Sequence, residues 1–104
     1  MSVIVLGLFG TAYAQPLDDI DATVLDYDGS VASVLLTWND DDIVSYYNVG
    51  CVSCVPNFSE NTFDNEIILS DITSLKNGLA ILYAIAYDGD GDMVTVKQVI
   101  LKIS

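Results

Sequence analysis

The chain contains neither arginine nor histidine, and its 104 residues include only three lysines, Lys76, Lys97 and Lys102. Against 15 acidic residues this gives a formal net charge of -12. A protein that grips a phosphate backbone neutralises it with Lys and Arg, so nucleic acid is excluded as a partner. The anionic leaflet of a membrane is repelled for the same reason. Without histidine there is no Ser-His-Asp or Cys-His nucleophile pair and no imidazole ligand for zinc. Apolar runs are short everywhere, and none approaches the roughly 20 residues that span a bilayer. Proline and cysteine occur twice each.

Apolar residues make up 52% of the chain, enough to bury a core in a single domain. The first residues read as an address. Val3-Ile4-Val5-Leu6-Gly7-Leu8-Phe9 is followed by the small-x-small site Ala12-Tyr13-Ala14. That is the pattern of an export signal over 1–14 with cleavage after Ala14, although no Lys or Arg precedes the apolar run. The expected mature domain is 15–104, secreted or held at the cell surface, with no membrane insertion after the signal is removed.

Cys51-Val52-Ser53-Cys54 fits that address, because an oxidising compartment favours disulfides. An i,i+3 pair on an extended strand stands roughly 10 Å apart, too far to bridge, so a bond requires a turn at Val52-Ser53. Three states remain open on the sequence alone. They are a local disulfide stapling a turn, free or intermolecular thiols, and half of a zinc site whose second ligand pair is missing.

Short apolar segments are separated by Asp, Gly and Asn clusters every 8–12 residues or so, which predicts an all-β sandwich. Strands are expected from Ile20 to Leu25, Val31 to Trp38, Ile43 to Val49, Glu66 to Ile72, Leu79 to Tyr87 and Met93 to Ile103. A short edge strand is expected over 55–58, followed by a loop at Ser59-Glu60-Asn61-Thr62. Pro56 lacks a donor and suits an edge. The segment 79–87 is apolar on both faces, so its outer face is covered or forms a contact surface. Adjacent Tyr46 and Tyr47 must point to opposite faces. In the last strand Val94 and Val96 share one parity, whereas Val99, Leu101 and Ile103 share the other. A β-bulge near Lys97-Gln98 would reconcile them.

In this order the segments resemble a fibronectin type III domain or a close Ig-like relative. The resemblance rests on Trp38 closing Val34-Leu35-Leu36-Thr37-Trp38 and on the aromatic strand Ile43-Val44-Ser45-Tyr46-Tyr47-Asn48-Val49. It continues through Leu75 and the Gly78 turn, then Ala86-Tyr87 and the loop Asp88-Gly89-Asp90-Gly91. It covers about residues 18–104 and implies a seven-stranded antiparallel sandwich with Trp38 in the core. The family's tyrosine after the glycine turn would fall near Ala80 or Ile81; here Tyr83 is displaced.

Asp88, Asp90 and Asp92 alternate like the start of a calcium loop. An EF-hand beginning at Asp88 would need a bidentate Glu where Val99 stands, and flanking helices. The stretch is therefore expected to be a hairpin turn, with Gly89 and Gly91 supplying positive φ. The resemblance implies that the loop holding Asp40, Asp41 and Asp42 lies at the same pole. Six carboxylates there make a candidate low-affinity Ca²⁺ site, and no other cofactor is expected. A glycosidase would need two carboxylates flanking a cleft; here the acids cluster in turns, so the chain is expected not to be an enzyme. Asn57-Phe58-Ser59 is a glycosylation sequon.

The expected function is a non-catalytic extracellular adhesion, interaction or spacer module. Its partner would be a protein or a cell-surface polysaccharide, met through Tyr46 or Tyr47 with Tyr83 and Tyr87. A carbohydrate-binding module, calcium-assisted, and a subunit of a surface filament or layer that assembles with its own copies are the alternatives.

Overall fold

A computed structural model describes residues 16–103. The export-signal segment 1–14 lies outside the described residues. Seven strands form two antiparallel sheets: β1 (Asp21–Tyr27), β2 (Ala32–Thr37), β3 (Tyr46–Cys51), β4 (Phe58–Thr62), β5 (Glu66–Ile72), β6 (Leu79–Tyr87) and β7 (Met93–Lys102). The first sheet has the order β1-β2-β5 and the second β4-β3-β6-β7.

Period-two burial generates the core between the sheets. Ala32, Val34 and Leu36 of β2 are buried, and the same parity carries Trp38, 3% exposed, past the strand end. Leu69 and Ile72 join them from β5. The second sheet contributes Tyr47, Val49 and Cys51 from β3 and Ala80, Leu82, Ala84 and Ala86 from β6. Large and small residues alternate across neighbouring strands: Tyr47 stands opposite Ala86, and Val49 opposite Ala84. The alanines make room for the Trp38 and Tyr47 rings, which meet at 4.9 Å with a 57° tilt. Burying each large aliphatic or aromatic side chain contributes about 1.5–3 kcal/mol.

Several expected boundaries move. β3 begins at Tyr46 rather than Ile43, because Asp41 takes the preceding residues into a turn. Its carboxylate accepts from the Ile43 N–H at 3.1 Å, and its carbonyl accepts from the Val44 N–H at 3.0 Å. The polar run Ser59-Glu60-Asn61-Thr62, expected to be a loop, lies within β4, and 55–57 lie outside it. Phe58 packs on the core, but Ser59, Glu60 and Asn61 are exposed on both faces of this edge strand, so apolar side chains are not required there. Its outer row is tied down by Asn48, whose amide donates to Asn61 Oδ1 at 2.8 Å and to Ser59 Oγ at 3.3 Å.

The bulge in β7 is also displaced. Pairing with β6 runs unbroken through Lys97 and Gln98, and the extra residue is Val94, between Tyr87↔Met93 and Ala86↔Thr95. Val94 packs on the core, while Val96 points outward with Ile100. The parity change in the sequence arises because β7 is apolar on both faces, not because the strand bends in its middle. Further bulges place Leu25 extra in β1 and one residue extra at the end of β5, where Asp71 adopts φ 59°.

Candidate aromatic face and acidic pole

The outer face of the four-stranded sheet is built from the alternate residues of β3, β6 and β7. Directly opposite one another stand Tyr46 and Tyr87, Ile85 and Val96, Tyr83 and Gln98, and Ile81 and Ile100. Among the described residues these three strands present no carboxylate on this face, and its only charge is Lys102 at one end. That is unusual in a chain with 15 acids.

The tyrosines are not equivalent. Tyr46 and Tyr87 stack at 4.9 Å with their planes 13° apart, and Phe63, 79% exposed, meets Tyr46 edge-on at 6.3 Å. Tyr83 covers Gly50, its cross-strand partner. A methyl group at Gly50 would lie 2.5 Å from the Tyr83 hydroxyl and 2.6 Å from the Phe58 carbonyl oxygen. Tyr47, expected as an alternative to Tyr46 on the contact surface, is instead a core residue. Adjacent residues of a strand face opposite ways, and this one took the inward position. Burial pushes its phenol above the ordinary value of 10.0. Sequence reading missed Phe63 and the Gly50–Tyr83 contact. A glycine inside a strand signals such a close approach, but its partner is set by register.

The aromatic end of this face borders the acidic loops. The Ser45 N–H donates to the Tyr87 carbonyl at 2.7 Å, so the β2–β3 and β6–β7 loops lie at one pole. At the β6–β7 connection the Asp88 N–H donates to the Asp92 carbonyl at 2.9 Å, and Gly91 supplies φ 83°. Gly89, also expected at positive φ, does not adopt it, because a single left-handed residue closes the turn. Asp88 Oδ1 accepts from the N–H groups of Asp90 at 2.9 Å and Asp92 at 3.0 Å.

The carboxylates of Asp88, Asp90 and Asp92 lie within 4.8 Å of one another. Asp40, Asp41 and Asp42 do not join that cluster, and Asp41 instead caps its own loop. Ca²⁺ takes six to eight oxygens. Three carboxylates, one of them already accepting two turn N–H groups, would need water or backbone carbonyls to complete such a sphere. The turn accounts for the arrangement of these residues.

Cys51 and Cys54 form a disulfide, the first of the three states left open. The small loop they close links the sheets. The Val52 N–H donates to the Ile81 carbonyl at 2.8 Å, and buried Ser53 Oγ accepts from the Ile81 N–H at 3.0 Å and donates to the Thr73 carbonyl at 2.9 Å. Elsewhere, an open groove of about 550 Å³ runs between the β4 and β5 edges, and Glu60 and Asp71 are among its lining residues. Both are exposed, whereas a glycosidase's general acid is a shielded carboxyl.

No protein-family model matches the chain, and no curated protein matches it in sequence. Among solved structures it is similar to the glycoside hydrolase domain of Endo-D from Streptococcus pneumoniae R6, with a TM-score of 0.66 and 12% identity. The match covers 84% of this chain and 14% of that one. At this identity the likeness concerns the fold alone.

Proposed function

We propose that this chain is a non-catalytic, extracellular interaction module of the Ig-like, fibronectin type III kind. It engages a protein partner through the outer face of its four-stranded sheet. The observation that carries the reading is that face: a mainly apolar and aromatic surface, interrupted by Asn48, Gln98 and Lys102 but without carboxylates, on a chain of net charge -12. Depletion of charge with enrichment of Tyr, Phe and Met marks the centre of protein interfaces, and Phe63 and Met93 stand exposed beside the Tyr46–Tyr87 stack. The Ig-like assignment is supported by the strand order. It is the constant-domain arrangement with the fourth strand moved to the opposite sheet. The disulfide supports an oxidising, extracellular setting.

A carbohydrate-binding role is the second reading. It is favoured by amides of Asn48, Asn61 and Gln98 beside the rings. It is opposed by ring orientation: Tyr46 and Tyr87 stack on each other and do not lie as a flat row. The test measures binding of the labelled chain to the surface of its source cells, before and after protease treatment. Protease-sensitive binding that a Tyr46→Ser/Tyr87→Ser variant loses supports the reading. Protease-resistant binding competed by soluble glycans favours the second. Equal binding by wild type and variant overturns both.

A further inference from the structure

The four sheet edges are treated differently by the sequence. An exposed edge is a template for another chain, and proteins blunt it with short strands, bulges, proline and inward-pointing charge. β1 carries the Leu25 bulge and begins at Asp21. β5 ends in a bulge with Asp71 at positive φ. β4 has five residues, follows Pro56 and turns Glu60 toward the inner side. β7 differs. It has ten residues, and beyond Val94 its pairing with β6 is regular to Lys102. It contains no proline and no acid, and among the described residues no strand lies on its outer side.

The outward-facing hydrogen-bonding groups can be identified. The Ile103 N–H donates to the Gly78 carbonyl at 2.9 Å. In an antiparallel pair, bonded and non-bonded residues alternate. Leu101, Val99, Lys97 and Thr95 therefore bond to β6, while Lys102, Ile100, Gln98 and Val96 direct their N–H and C=O groups away from the sheet. The side chains of those last four residues lie on the outer face, where Val96 is 51% and Ile100 55% exposed.

We propose that β7 pairs antiparallel with β7 of a second copy, about a two-fold axis at Gln98. This inference goes beyond the contact face described above and does not depend on it. A second copy fits for three reasons. Two chains of net charge -12 repel, and β7 is the one edge strand without a carboxylate, its Lys97 already paired with the same chain's Asp18 at 3.0 Å and Lys102 standing at its end. Centring on Gln98 sets Val96 opposite the second copy's Ile100 and Lys97 opposite its Val99, so no lysine meets a lysine. The pairing also extends the apolar row of β6 and β7 into one continuous eight-stranded face. An isologous contact of this kind closes as a dimer. One strand pair is a small interface, at the weak end of specific contacts. The dimer is accordingly concentration-dependent, and added salt strengthens it by screening the acidic chains.

Sedimentation velocity on the full chain from micromolar to millimolar concentration tests this. The expected result is a monomer–dimer equilibrium that shifts toward dimer with salt. Gln98→Pro, which removes an outward N–H and no bond to β6, should abolish the dimer with an unchanged circular dichroism spectrum. Ile100→Lys, which keeps the backbone intact, should do the same. Amide exchange supplies a readout independent of variants. Residues 96, 98, 100 and 102 should gain protection at high concentration, whereas 97, 99 and 101 stay protected throughout. A monomer at every concentration overturns the proposal, including a monomer whose β7 edge is covered by the chain's own first residues. So does a dimer that survives both substitutions.

Discussion

Gly50→Ala is the sharpest test of the packing. Gly50 lies within β3 with no positive φ, so nothing in its backbone conformation demands glycine. Judged by strand preference alone, alanine should stabilise by about 0.5–1 kcal/mol. The structure predicts the reverse. The added methyl would sit 2.5 Å from the Tyr83 hydroxyl and 2.6 Å from both the Tyr83 ring carbon Cζ and the Phe58 carbonyl. The tyrosine can swing away, but the carbonyl belongs to the neighbouring strand, so β4 must shift. Overpacking of this sort costs about 1–3 kcal/mol. The expected net loss is about 1–2 kcal/mol. At about 1 kcal/mol per molar urea, this lowers the unfolding midpoint by about 1–2 M.

Trp38 is the chain's one tryptophan and is buried, so its fluorescence reports the transition. Tyr83→Ala introduced into the Gly50→Ala background should cost less than it does in the wild type, because it removes two of the three short contacts. A coupling above about 0.5 kcal/mol is expected for residues in contact. If Gly50→Ala were neutral or stabilising, or the two changes simply added, the close approach of Tyr83 and Phe58 to Gly50 would be refuted.

Three further outcomes follow from named contacts. Asp88→Ala should destabilise by about 0.5–1.5 kcal/mol by removing the acceptor of two turn N–H groups, while Asp88→Asn keeps an oxygen there and should recover most of it in thermal melts. Replacing Cys51 and Cys54 with alanine should cost about 2 kcal/mol in chain entropy alone, since the closed loop is short. The Thr73 N–H, which donates to Cys54 Sγ at 3.4 Å, loses its partner as well, and urea unfolding reads the sum. Asp28 has its carboxyl held below the ordinary 3.8, chiefly by the Val31 N–H and next by that of Ser30. A depressed value means that its contribution is present above 3.8 and lost as pH falls through the folded value. The stability difference between wild type and Asp28→Asn at pH 6 should therefore close in acid.

The sequence by itself determined the strand count, the class and the core row Val34, Leu36 and Trp38, because period-two alternation survives any choice of partner strand. It also determined that residues 79–87 would be apolar on both sides, and that 88–92 would turn. Only the tertiary structure decided which of Tyr46 and Tyr47 faces outward, since both parities of that segment offered an aromatic ring. It also decided that the polar run 59–62 is a strand, a pairing forced by the β3 edge and not by its own side chains. The two acidic loops do share a pole, yet their carboxylates do not gather into one cluster, because Asp41 and Asp88 are each occupied by the backbone of their own turn. Edge position, register and the cover over Gly50 belong to contacts between segments distant in the chain, and no local pattern encodes them.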